Sequence, residues 1–302
     1  MHSLLKLVFV AVLFAATTMV MAQGVEPEAL SDEEALKVTM LEALMAAPGE
    51  RALPIVGRVL AGDESDEVKS RALFVLSQID LPEAQTILLR TAREGSGELR
   101  LEAIRMIGIS GAEDALAGLG DLYHSGDLEV KERVLEAYLI AGDTEAVYDL
   151  AANAQNEEEF KIAVQTLGAM GATDELRRLR EEGGHSETLI QAYSIAGDYE
   201  SLMEMAKDSS QPQMQVSAIQ SLGVIGGAEI DQLLMQIYRE ATEKYVKDAA
   251  LHGMMISGYE DGVVELFRES EDPRDKRMML QMLMAMDSDA ALEVIDAALG
   301  DQ

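Results

Sequence analysis

Apolar residues recur at helical spacing, in paired runs, from about residue 31 to the C-terminus. The clearest pair spans residues 96–126. There Ala103, Ile104 and Ile107 share one helical face. Ser110 and Gly111 end the run, and glycine accepts the left-handed backbone of a helix C-cap. Leu116, Leu119 and Leu122 follow three residues apart and predict a second amphipathic helix.

With Ala103 as anchor, equivalent positions are Met40, Ala72, Val134, Ala163, Leu189, Ala218, Ala250 and Met279, giving nine units spaced 26 to 32 residues apart. The residue after each anchor is aliphatic in all nine, from Leu41 to Leu280, and the residue four past it is never charged. Sixteen residues past each anchor stands Val56, Leu88, Leu119, Leu150, Leu179, Met205, Leu234, Leu266 or Ile295, which fixes the second helix in register. Glycine is expected in the turn at 111, 142, 171, 197, 226 and 258; Pro48, Asp80 and Asp287 replace it elsewhere. Ser65, Ser96, Asp127, Asn156 and Asp272 precede first helices as N-caps, whereas Glu182, Gln211 and Glu243 are weaker caps. Only five residues separate Gly184 from Leu189, so the sixth unit's first helix loses about one turn. The first glycines of Gly108-x-x-Gly111, Gly168-x-x-Gly171 and Gly223-x-x-Gly226 suit close helix crossings.

The motif D/S-x-E-V/L-K/R-x-x-A-h-x-x-h-G-x-x-G is best formed at residues 96–111 and less completely at 65–80 and 127–142. In this the units resemble HEAT repeats, particularly the short HEAT-like repeats of bilin-lyase-related proteins. Tetratricopeptide units are longer and use a Trp that this chain lacks. The resemblance implies an all-α fold, an α-solenoid of about nine two-helix repeats, with second helices lining a concave face. It also implies a surface for binding proteins rather than any one chemistry.

The beginning of the chain follows another pattern. Lys6, an apolar run from Leu7 to Ala16 and the Val20-Met21-Ala22 triplet read as a signal peptide over residues 1–22, cut after Ala22. The run is short for a membrane span. A short leader, residues 23–30, and one continuous repeat domain, residues 31–302, complete the expected organisation. The expected location is periplasmic or secreted.

Charge then narrows the partner. There are 55 Asp and Glu against 24 Lys and Arg, a net charge of −31. Such a surface repels phosphate backbones and anionic lipid, so nucleic acid is not an expected partner. A protein with a basic or extended segment fits, and divalent cations are the alternative. The acidic stretch 62–67 lacks the ligand order of a calcium loop and reads as a solvated turn. Arg177, Arg178, Arg180 and Lys161 form the one locally basic patch, where Arg177 and Arg178 could meet an acidic ligand or pair with Glu181 and Glu182. Several of the methionines of the last third fall in core columns. The last helix, 289–299, is apolar for an end cap, and Val294 is its candidate residue for docking a partner or a second copy.

No catalytic constellation is legible, and no cofactor or metal site is expected. The chain has no Cys, which excludes thiol chemistry and disulfides. Of four His, His2 leaves with the signal, and His124, His185 and His252 share no metal spacing and are not followed by Glu. An accessory role to a modifying enzyme or lyase is the remaining alternative that the resemblance offers.

Overall fold

The computed structural model describes residues 30–183, 187–286 and 289–300, without side chains for 297–300. The expected signal peptide, all of the leader but Leu30, His185 and Asp287 lie outside these residues. Every regular element described is helical. The chain divides into two compact units, residues 1–79 and 80–302.

The first unit holds α1 (Asp32–Ala43), a 3-10 turn (Leu44–Ala46), α2 (Gly49–Ala61) and α3 (Asp66–Ser77). Ser31 starts α1 with a capping box: its hydroxyl accepts from the Glu34 amide at 3.3 Å, and its own amide donates to the Glu34 carboxylate at 3.0 Å. Leu41, Ala52, Val56, Val68, Leu73 and Leu76 form the core. The acidic turn is partly neutralised, since Lys37 reaches Glu64 at 2.8 Å and Glu33 at 3.0 Å. Ser65 stands at the N-cap of α3 without a side-chain cap bond.

The second unit opens with α4 (Pro82–Glu94), which packs on α5 (Gly97–Ser110). Beyond α5 come α6 (Glu113–Ala117), α7 (Leu119–Ser125), α8 (Leu128–Ala141), α9 (Thr144–Ala152), α10 (Glu157–Met170), α11 (Thr173–Glu181), α12 (Glu187–Ala196) and α13 (Tyr199–Lys207). The series ends with α14 (Pro212–Ile225), α15 (Ala228–Glu240), α16 (Lys244–Ser257), α17 (Glu260–Glu269), α18 (Pro273–Ala285) and α19 (Asp289–Gly300). Within this unit each first helix packs on the first helix of the next hairpin, and each hairpin's second helix also packs on that next first helix. This nearest-neighbour stacking of helix pairs is an α-solenoid.

The repeat columns are the core. Eight of the nine anchors, from Ala72 to Met279, are fully buried. Met40 departs from the rule at 58% exposure, because no described helix precedes α1 to cover it. In the +16 column only Ile295 is less than buried. The C-terminal methionines divide: Met254 and Met279 are core, while Met284 is 63% exposed. Asp127, Asn156 and Asp272 cap their helices with side-chain bonds of 2.8–3.0 Å. Ser96 caps by position only. α12, with 10 residues against 14 in α10 and α14, carries the one-turn deletion.

Turn geometry follows from glycine. At Gly142, Gly171, Gly197 and Gly258, φ lies between 69° and 77°. The next amide bonds back to the carbonyl of Tyr138, Leu167, Tyr193 or Met254 at 2.9–3.0 Å, closing the helix end. The second helix of the third unit is a correction. It is expected as one helix, but it breaks at Gly118 into α6 and α7. A Cβ at Gly118 would lie 2.6 Å from the Leu89 side chain, so the absence of a side chain there lets α4 pack closely.

Two buried tyrosines tie successive hairpins. The Tyr138 hydroxyl donates to the Leu116 carbonyl at 3.1 Å, and that of Tyr193 to the Leu176 carbonyl at 3.0 Å. Burial pushes both phenols up to about 12. Tyr193→Phe removes one such tie while keeping the ring, and is expected to cost about 1 kcal/mol in urea unfolding. An unchanged midpoint would mean that the hydroxyl contributes nothing.

Candidate interaction surfaces

α11 carries the basic patch. Thr173 to Glu181 alternates Leu176 and Leu179, both buried, with Arg177, Arg178 and Arg180. A helix with so few apolar residues depends on what its charges reach. Arg177 lies against the start of α13, donating to both oxygens of Asp198 at 2.7 and 2.8 Å and to the Ser201 hydroxyl at 3.1 Å. Asp198 is 4% exposed and also caps α13 through the Ser201 amide at 3.2 Å. Burial alone would raise the Asp198 carboxyl, but bonds from Arg177 and Ser201 outweigh it and hold it below its ordinary value.

Arg178 points the other way along the stack. It meets the Glu145 carboxylate of α9 at 2.7 Å and lies 3.8 Å from the Tyr148 ring centroid. The Tyr148 hydroxyl donates to Glu182 at 2.6 Å. Arg180 reaches Glu204 of α13 at 2.9 Å. The three arginines therefore engage carboxylates of the neighbouring hairpins. Neither Arg177 nor Arg178 pairs with Glu181 or Glu182; each is taken up by a carboxylate of a neighbouring hairpin instead. Sequence carried one signal for this: Asp198 follows the turn glycine, as Asp143 does, and so marks a second-helix cap facing α11. Asp198→Asn keeps the cap but removes the charge, and is expected to lower stability by about 1–2 kcal/mol, discounted for the partial exposure of Arg177. Equal stability of the two proteins at neutral pH would show the pair to be inert.

Val294 is only 6% exposed and lies within α19, which packs on α17 and α18. It is a core residue of the last hairpin, not a presented one. Its neighbour Leu292, at 67%, is an exposed apolar residue of that helix.

Sequence reasoning missed a buried charge pair. Lys131 of α8 meets Glu159 of α10 at 2.6 Å, with side chains 16% and 8% exposed. Glu159 also accepts from the Gln155 amide and the Asn156 side chain, both at 3.0 Å. Lys131 further lies 5.6 Å from the ring centroid of Tyr123, whose phenol is pushed up to about 12 by burial and then by the Glu159 charge. A cleft of about 270 Å³ opens between α11, α13 and the start of α14, lined by Arg180, Glu204, Met205, Asp208, Gln211 and Met214. Among the described residues, no three His, Asp or Glu converge to hold a metal ion. No described helix is long and apolar enough to cross a membrane.

Residues 53–139 match the family model described as HEAT repeats. No curated protein matches the chain. Human deoxyhypusine hydroxylase in complex with glycerol is similar at 19% identity and a TM-score of 0.36, over 84% of this chain and 92% of that one. The complex of CpcE and CpcF of phycocyanin lyase from Nostoc sp. PCC7120 is similar at 15% identity and a TM-score of 0.33, over 88% of this chain and 98% of that one. Likenesses of this degree say nothing about activity.

Proposed function

We propose that this HEAT-repeat chain is an exported, acidic, non-enzymatic scaffold that binds an extended basic segment of a partner protein. One observation carries the reading. The chain bears a net charge of −31, and its one arginine cluster is engaged internally with Asp198, Glu145 and Glu204. The charge left for a partner is predominantly acidic, with only scattered exposed cations such as Lys161, Lys207 and Arg268 among it. A field of that sign attracts cationic segments and repels nucleic acid. The signal-like pattern of residues 1–22 supports the export part of this reading, with the periplasm or the exterior as the site of action.

The test is in-cell crosslinking of the tagged protein, followed by mass spectrometry, with the N-terminus of the isolated protein sequenced in parallel. The expected result is one near-stoichiometric partner, crosslinked through a Lys- or Arg-rich segment, on a chain beginning at Gln23. Absence of any enriched partner would overturn the scaffold reading. An intact Met1 on the bulk of the protein would overturn export.

A further inference from the structure

The hairpin turns of the second unit present two parallel rows of side chains. Six residues past each anchor, in the last turn of the first helix, stand Ile109, Ile140, Ala169, Ile195, Val224 and Ile256. All are exposed, from 37% at Ile109 to 73% at Val224 among the large ones. Five residues further on, in the first turn of the second helix, stand Asp114, Glu145, Asp174, Glu200, Glu229 and Asp261, also all exposed. The interval is the same in six successive hairpins. Among the described residues of this unit ten large apolar side chains are exposed, and five of them occupy this one position. Solvation does not require an aliphatic residue there in hairpin after hairpin.

Charge changes across the turn. From anchor to turn glycine, the six first helices contain one acidic residue, Glu136, and it is paired with Arg133 at 2.7 Å. Acid resumes immediately beyond the turn. In a chain of net charge −31, the aliphatic row is thus a neutral strip bordered by a carboxylate row. Within that row Glu145 and Glu200 already meet Arg178 and Arg177 at 2.7 and 3.5 Å, so the acid offered to a ligand is that of Asp114, Asp174, Glu229 and Asp261.

We infer that this turn edge, rather than the second-helix face, is the docking surface, and that it holds an extended polypeptide segment with aliphatic and basic side chains recurring every third residue. The inference rests on the scaffold reading and assigns its surface. The period follows from packing. Stacked helices lie about 10 Å apart, and a segment in the extended polyproline-II conformation advances about 3.1 Å per residue and turns once every three residues, so each third side chain faces the same way. Three residues of the segment therefore span one hairpin, and six hairpins hold about eighteen residues. An aliphatic side chain at each third position covers one row, and a Lys or Arg beside it reaches the carboxylate row. Charge complementarity selects a basic segment over an acidic one.

The probe is a fluorescein-labelled eighteen-residue peptide repeating Ile-Lys-Ser, compared by anisotropy with a peptide of the same composition in scrambled order. The purified protein is expected to bind the ordered peptide at least tenfold more tightly. Changing Ile140, Ile195, Val224 and Ile256 together to Ser is expected to cost at least tenfold, with circular dichroism unchanged. Asp174→Asn, Glu229→Gln and Asp261→Asn together should weaken binding and flatten its salt dependence. The charge-matched control Asp149→Asn, Glu240→Gln and Glu269→Gln, on second helices away from the turns, should leave it unchanged. Equal affinity for ordered and scrambled peptides, no binding of either, or equal weakening by the control set overturns the edge assignment. A crosslinked cellular partner retained under any of those outcomes would leave the scaffold reading standing, so the two failures are distinguishable.

Discussion

Replacing Glu159 by alanine is expected to destabilise the array by about 3–5 kcal/mol, the cost of leaving one member of a buried ion pair without its partner. Three donors converge on this carboxylate: the Lys131 ammonium, the Gln155 amide and the Asn156 side chain. Lys131 belongs to α8, so the pair joins one hairpin to the next. Glu159→Gln retains an acceptor for the amides and is expected to cost less than the alanine change. Lys131→Met leaves the carboxylate with its amide donors and is expected to fall between wild type and Glu159→Ala. Urea unfolding gives the magnitudes, and hydrogen exchange in α8 and α10 locates the loss. A loss of under about 1 kcal/mol on Glu159→Ala would place the pair with ordinary surface bridges.

The same pair has a pH signature. The Glu159 carboxyl is held below its ordinary value, first by the Lys131 bond and then by the Gln155 amide. A group depressed in the folded state stabilises fully above its unfolded value, about 4.3. That contribution fades as pH falls through the lower folded value. The stability difference between wild type and Glu159→Gln is therefore expected to be constant from neutral pH down to about 5 and to shrink below the unfolded value. Taking the difference removes the general relief of acidic repulsion, which both proteins share. A difference that grows on acidification would refute the assignment.

The second large effect is steric. A Cβ built on Gly108 would lie 2.6 Å from the Cα and carbonyl oxygen of Ala137, and one on Gly223 would lie 2.6 Å from the Cα of Gly253. These are backbone atoms of the neighbouring first helix, so no side chain can rotate away. Helix propensity alone favours Gly→Ala by about 1 kcal/mol. Overpacking is expected to reverse that sign, with a net loss of about 1–3 kcal/mol for Gly108→Ala or Gly223→Ala and more for valine. Gly168, whose Cβ would meet Ala192 at 3.1 Å, should suffer less. Gly120 is the control: its nearest neighbour would be the Tyr138 hydroxyl at 4.0 Å, so Gly120→Ala should gain up to about 1 kcal/mol. If Gly108→Ala melted with or above wild type, the close crossing would not be a constraint on the stack.

Those crossings show how far the chain can be read before it is folded. The Gly-x-x-Gly spacing marked Gly108, Gly168 and Gly223 as close-packing positions, and it did so from local pattern alone. The partner residue could not be read that way. It is three past the next anchor, at Ala137, Ala192 or Gly253, and it matters only once two hairpins are stacked. The interaction surfaces divide similarly. Arg177 and Arg178 stand out as a basic cluster in an acidic chain, but their partners Asp198 and Glu145 lie 21 and 33 residues away. Val294 shares an apolar helix with Leu292, and only packing against α17 and α18 decides that the first is buried and the second exposed.

The sequence by itself determined the helical hairpin, its repeat, the anchor and +16 columns, the turn glycines, the one-turn deletion in α12 and the sign of the surface charge. Each is a property of neighbours along the chain, where a 3.6-residue period and a backbone-specific residue suffice. Tertiary structure decided which charges are neutralised, which glycines are pinned, where α6 and α7 part, and which apolar residues stay at the turn edge. Those depend on distances between hairpins, and side chains some thirty residues apart become neighbours only when the helices stack.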